Sequence, residues 1–126
     1  MKKLSVLIVC MVLSLGAAMS QKPVINFAVK DFDFGKIKEA DGSVTHVFDF
    51  TNKGNAPLVV NRVQASCGCT TPTWTKEPVE AGKKGAITVT YNTAGRPGPF
   101  TKTITVYSND SINQAVLIIK GEVIPK

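Results

Sequence analysis

Large apolar side chains alternate with polar ones along most of the chain beyond residue 40. In Val44-Thr45-His46-Val47-Phe48-Asp49-Phe50, the residues Val44, Phe48 and Phe50 share one face, with His46 in their row. Ile87, Val89 and Tyr91 alternate with Thr88 and Thr90, and Phe100, Ile104 and Val106 alternate with Thr101, Thr103 and Thr105. A period of two belongs to strands with one buried and one wet face. Ala115 to Ile119 is apolar on both faces, which predicts a central strand. No stretch carries an apolar stripe at i, i+3, i+4, i+7 long enough for a helix. Threonine occurs twelve times after residue 40, and β-branched side chains favour extended backbone. The pattern predicts strands over 24–29, 32–37, 44–51, 58–66, 85–92, 100–108 and 114–123, with a short extended piece at 73–76.

Turn chemistry separates these runs. Asp41-Gly42, Lys53-Gly54-Asn55, Ala81-Gly82 and Asn109-Asp110 accept positive φ or bond their own backbone. Ala94 to Pro99 reads as a loop, since Pro97 and Pro99 cannot donate to a ladder. About seven short strands with frequent turns predict an all-β, immunoglobulin-like sandwich, a small closed barrel being the alternative. There is no internal repeat, low-complexity tract or linker.

The amino terminus follows a different pattern. Lys2 and Lys3 precede an apolar run from Leu4 to Leu15, followed by Gly16, Ala17, Ala18 and Ser20. Charge, apolar core and small residues, in that order, describe a signal peptide. The run is shorter than the 18 or more residues of a spanning helix. We therefore expect residues 1–20 to be removed, after Ser20 or after Ala18. Residues 21–126 then form one exported domain in the periplasm or cell envelope, not membrane-spanning once cleaved. Cys10 lies inside the apolar run, so the lipoprotein pattern does not apply.

Cleavage simplifies the chemistry. All three methionines and Cys10 leave, and the remaining candidates are Cys67, Cys69 and His46. The formal charge of +6 is scattered, with no basic run longer than Lys83-Lys84, so no nucleic-acid partner is expected.

Several segments together carry a resemblance. They are Phe32-Asp33-Phe34-Gly35-Lys36-Ile37, Thr45-His46-Val47-Phe48 and Asn52-Lys53-Gly54-Asn55-Ala56-Pro57-Leu58. Ser66-Cys67-Gly68-Cys69-Thr70-Thr71-Pro72 with Trp74, then Pro99-Phe100 and Ser108-Asn109, complete the set. From Phe32 to Gly121 the chain resembles the bacterial domain of unknown function 1573, whose most specific mark is the Cys-Gly-Cys-Thr segment. The resemblance implies a fold similar to major-sperm-protein-like and Hydin-like domains and an exported protein of Bacteroidetes-type bacteria. It implies no catalytic residue.

Cys67-Gly68-Cys69 is the motif with possible chemistry. Gly68 lets the sulfurs approach, and an oxidising compartment favours a bridge between them. Such a bridge would shape a loop presenting Thr70, Thr71 and Trp74, a candidate binding loop. A thiol redox role and soft-metal binding are the alternatives. A metal would need His46 beside Cys67 and Cys69, which still falls short of a closed four-ligand zinc site, and no Met is available for copper. No metal or other cofactor is therefore assigned. Asp110-Ser111-Ile112 resembles the acceptor of Bacteroidetes O-glycosylation, making Ser111 a candidate site, with a plain turn as the alternative.

No Ser nucleophile motif, phosphate loop or carboxylate pair near a His is present. The expected function is a non-catalytic interaction module that binds an envelope protein, or else a glycan, through an edge strand or its loops. A thiol redox or soft-metal protein built on Cys67 and Cys69 is the alternative, and a hydrolase with unrecognised groups ranks behind both. The sequence names no partner and no oligomeric state.

Overall fold

The computed structural model describes residues 21–112 and 114–126. The predicted signal peptide lies outside the described residues. Among the described residues eight strands follow one another: β1 (Ile25–Phe27), β2 (Asp31–Lys38), β3 (Ser43–Asn52), β4 (Val60–Ala65), β5 (Thr70–Trp74), β6 (Lys84–Asn92), β7 (Gly98–Ser108) and β8 (Gln114–Ile124). A single 3-10 turn, Glu39–Asp41, links β2 to β3. The strands form two four-stranded sheets, in the orders β1-β3-β6-β5 and β2-β8-β7-β4. This is the expected immunoglobulin-like sandwich.

The alternating rows fill the space between the sheets. Phe48, Phe50, Ile87, Val89, Ile104, Val106, Leu117 and Ile119 are all buried there. Their partners on each strand, among them Thr45, Val47, Thr101 and Thr103, face outward and are exposed. β8 is central as expected, between β2 and β7. Its pairing with β2 is parallel, broken by a shift between Asp33 and Lys36. Gly35 stands at that shift with φ +71°, and its N–H donates to Asp33 Oδ1 at 2.8 Å. Only glycine takes such a backbone cheaply.

Four boundaries differ from the sequence reading. The extended piece expected at 73–76 is a full strand at Thr70–Trp74. Leu58 precedes β4, joined to Val79 by an isolated bridge with N–H···O distances of 2.9 and 2.8 Å. The strand expected over 24–29 stops at Phe27, because the chain leaves its sheet there. Gly98 and Pro99, expected in a loop, open β7. β4 reaches only to Ile104 on β7, so Pro99 stands where β7 lacks that second neighbour and a proline is tolerated at a strand's start.

Two buried polar side chains fasten the ends of the strands. Asn52 Nδ2 donates to the carbonyls of Ala56 (2.7 Å) and Val79 (2.9 Å). Its Oδ1 accepts from Gly54 N–H (2.9 Å) and Val24 N–H (3.3 Å). Asp110 Oδ2 accepts from Ile25 N–H at 2.7 Å, and its Oδ1 from Ile112 N–H at 2.9 Å. Among the described residues no buried side-chain polar atom is left without a partner, as a low-dielectric interior demands.

Candidate functional site

On each flank of the sandwich one connection joins the edge strands of the two sheets. Between β4 and β5 the handover is made by Ser66–Cys69. Ser66 continues the β4 ladder, its N–H donating to Thr103 O at 2.9 Å and its Oγ accepting from Thr103 N–H at 3.2 Å. The next residues reverse in a tight turn, in which Thr70 N–H donates to Cys67 O at 3.2 Å. Cys67 and Cys69 are disulfide-bonded across Gly68, with Cα atoms 5.3 Å apart, inside the range a bridge needs. Cys69 N–H donates to Cys67 Sγ at 3.2 Å, and Asn92 N–H donates to Cys69 O at 3.0 Å. Cys69 packs into the core while Cys67 lies at its margin.

Two open concavities flank this turn. One, of about 580 Å³, is lined by Cys67, Arg96, Lys102 and the ring pair Tyr91 and Phe100. Those rings stack with centroids 4.0 Å apart. The other, of about 620 Å³, holds Asp41, Ser43, Thr71 and Asn92. The contribution of Arg96 and Lys102 was not legible in the sequence, where they look like two of many scattered surface charges.

Thr70, Thr71 and Trp74 do not form a loop. All three belong to β5, paired to β6 from Thr70↔Tyr91 to Trp74↔Ile87. Thr70 is buried and Trp74 half-buried on the inward row, whereas Thr71 is exposed on the outward one. The alternation of a strand separates residues that the loop reading grouped. Trp74 packs against the core, and Lys76 Nζ lies 3.1 Å from its ring centroid.

The second crossing, from β1 to β2 through residues 28–30, leaves a sheet edge uncovered. Asn52 N–H donates to Lys83 O at 2.9 Å and Thr93 N–H to Gly42 O at 2.9 Å. These bonds direct the main-chain groups of even-numbered residues of β3 toward β6, so the odd-numbered ones point the other way. On that side β1 reaches only to Phe50. The main-chain N–H and C=O groups of Ser43, Thr45 and Val47 therefore face outward, with no neighbouring strand among the described residues. Beside them lies a groove of about 370 Å³ lined by Ala28, Val29, Phe32, His46, Val47, Phe48 and Asp49. Val29 and Val47 on its rim are 55% and 45% exposed. No reading of one strand's pattern could find this edge, because it depends on where a different strand stops.

His46 forms the floor of that groove. Its ring stacks on Phe32 with centroids 3.8 Å apart and meets Phe48 edge-on at 4.6 Å. Burial holds its pKa below the ordinary 6.5, opposed by the nearby Asp49 carboxylate. The ring is thus held between aromatic side chains two strands away from β5. Among the described residues no three His, Cys, Asp or Glu side chains gather as a metal site would require. Ser111 and Ile112 are exposed at the β7–β8 turn, Ile112 by 79%, while Asp110 is turned inward onto β1. Among the described residues no helix is long and apolar enough to cross a membrane.

The family model described as protein of unknown function, DUF1573, matches residues 25–123. The chain belongs to the DUF1573 family. No curated protein matches it. Among solved structures, a protein of unknown function from Porphyromonas gingivalis W83 is similar at 18% identity and a TM-score of 0.71, covering 85% of this chain and 50% of that one. The chain thus spans half the length of that relative. The ASH/PapD-like domain 7 of human CEP192 is similar at 8% identity and a TM-score of 0.68, covering 86% of this chain and 91% of that domain. The E. coli chaperone DraB is similar at 14% identity and a TM-score of 0.53, covering 82% of this chain and 56% of that one. At these identities the likeness concerns the PapD-like fold.

Proposed function

We propose that this DUF1573 protein is a non-catalytic binding module of the bacterial cell envelope, exported with loss of residues 1–20. It takes an extended segment of an envelope protein as an added strand on β3. The single observation that carries this reading is the row of outward main-chain groups at Ser43, Thr45 and Val47 beside the groove of Val29, Phe32, His46 and Phe48. Main-chain hydrogen bonds from the edge would supply affinity. The groove would select apolar side chains at alternate positions of the incoming strand. The chaperone and PapD-like relatives support a binding role at the level of fold.

The test is site-directed photo-crosslinking in the native host. A photoreactive side chain at Val47 is expected to capture a polypeptide, and one at Thr73 on β5 is not. Adding Thr45→Pro, which removes one outward N–H, should abolish the capture. Equal capture at both positions, or capture of a glycan only, contradicts the edge assignment. Intact mass of the same material should lack the first 18 to 20 residues. Ser111→Ala should remove any glycan mass, and a wild type carrying none excludes the modification.

A further inference from the structure

The two sulfurs of the Cys67–Cys69 bridge stand in different surroundings. Cys67 is half-buried and borders only the concavity that contains Arg96 and Lys102. Cys69 is 7% exposed, belongs to the core, and forms the ridge between that concavity and the one containing Asp41. Both cysteines line the basic hollow, and Cys67 is the more exposed of the two. The Cys69 N–H points at Cys67 Sγ from 3.2 Å. A donated N–H and nearby cations both stabilise negative charge on sulfur. Cys69 Sγ has a Thr70 hydroxyl at 3.6 Å, and Cys69 packs into the core.

We propose that Cys67 and Cys69 form a thiol–disulfide exchange site for small thiols of net negative charge. Cys67 is the reacting sulfur and Cys69 the resolving one. This site is separate from the β3 edge, and the two readings stand or fall independently. An incoming thiolate bonds to Cys67 Sγ while the Cys67–Cys69 bond breaks. Cys69 leaves as a thiolate and takes a proton from water. A second thiolate attacks the outer sulfur of the mixed disulfide and departs with it as a small-molecule disulfide, returning Cys67 as a thiolate. Two thiols are oxidised and the protein gains two electrons. In reverse, the Cys67 thiolate attacks a small disulfide, and Cys69 then closes the bridge by expelling the bound thiol. Arg96 and Lys102 meet the carboxylates of the small thiol, and Tyr91 and Phe100 border the hollow it enters.

The test compares two probes on the oxidised protein at low salt: reduced glutathione, which is anionic, and cysteamine, which is cationic. Adducts are quenched in acid and mapped by peptide mass. Glutathione is expected on Cys67 in excess of about tenfold over Cys69, following accessibility. The rate ratio of glutathione to cysteamine, corrected for thiolate fraction, should fall about tenfold in Arg96→Gln/Lys102→Gln, and likewise in high salt. Arg96 is exposed on a loop, so circular dichroism of this variant should match the wild type. As a second arm, the free thiol of Cys69→Ala should take glutathione from glutathione disulfide about tenfold faster than that of Cys67→Ala. Adducts shared evenly or found mainly on Cys69, a ratio indifferent to charge and salt, or a bridge that opens only after unfolding would each overturn the proposal.

Discussion

The two flanks of the sandwich solve one problem in opposite ways. Each flank has a crossing where the chain passes from one sheet to the other, and each crossing exposes a sheet edge. On the β4–β5 flank the crossing is four residues long and held by the Cys67–Cys69 bridge. The edge beyond it is guarded. Cys69 O accepts from Asn92 N–H and Thr75 N–H donates to Ala86 O, so the odd-numbered residues of β5 face β6. Pro72 therefore faces outward, at a position where an N–H would invite a further strand. On the β1–β2 flank β1 is three residues long and stops short. Most of the ten-residue β3 keeps a bare edge, with apolar side chains beside it. An unguarded edge is a liability that proteins ordinarily cover. Between β5 and β3, that difference separates an edge built to stay single from an edge suited to a partner.

The comparison breaks most severely if the common core fails. Phe50 lies beneath β1 and against Phe27, with ring centroids 5.6 Å apart. Phe50→Ala should cost about 3–5 kcal/mol in urea unfolding, and Ile104→Ala about 2–5 kcal/mol. A change below about 1 kcal/mol at both would contradict the assignment of buried rows. Asn52→Ala should cost about 1–3 kcal/mol by removing a donor from the carbonyls of Ala56 and Val79, of which Val79 keeps the Leu58 N–H. It should also speed hydrogen exchange in β1 more than in β5, since Asn52 ties the chain ahead of β1. Cys67→Ser with Cys69→Ser should leave the fold intact and lower stability by less than about 2 kcal/mol, because so small a ring constrains the unfolded chain little. Chemical-shift changes should then stay within β4, β5 and the Arg96 loop. Pro72→Thr should change stability by less than about 0.5 kcal/mol yet make β5 self-associate, read as concentration-dependent sedimentation. A strictly monomeric variant would show that Pro72 is not the guard.

The smallest effect belongs to His46. Its folded pKa is depressed, so the unfolded chain binds the proton more readily. Stability is unaffected well above the ordinary pKa of 6.5 and declines as pH falls through and below it. His46→Phe should remove that part of the slope. An NMR titration of His46 with a midpoint at or above 6.5 would contradict the buried stack on Phe32.

The rows of this sandwich were legible because each face of a strand reports its own surroundings. Phe48, Phe50, Ile87, Val89, Ile104 and Val106 could be placed inside by alternation alone. The Cys67-Gly68-Cys69 turn was legible from its spacing. What lies around it was not. Arg96 and Lys102 come to the turn from β7 and the loop before it, a proximity that only tertiary packing creates. Thr70 to Trp74 was misjudged because Pro72 in the middle of five residues argues against a strand. An edge position suspends that argument, and edge positions belong to the sheet rather than to the segment.

The place of β8 has a consequence for the order of folding. Among the described residues β8 is the last strand, yet it sits inside its sheet and supplies the only strand partner of β2. Asp31 pairs beside Ile118, so the first strand of that sheet waits for nearly the whole chain. Until residues 114–124 are available, neither β2 nor the free side of β7 has anything to bind. Loop-closure entropy on this scale makes the search slow, in the millisecond-to-second range of sandwiches. A nascent chain ending before Gln114 should therefore remain open to proteases, and one extended past Ile124 should not.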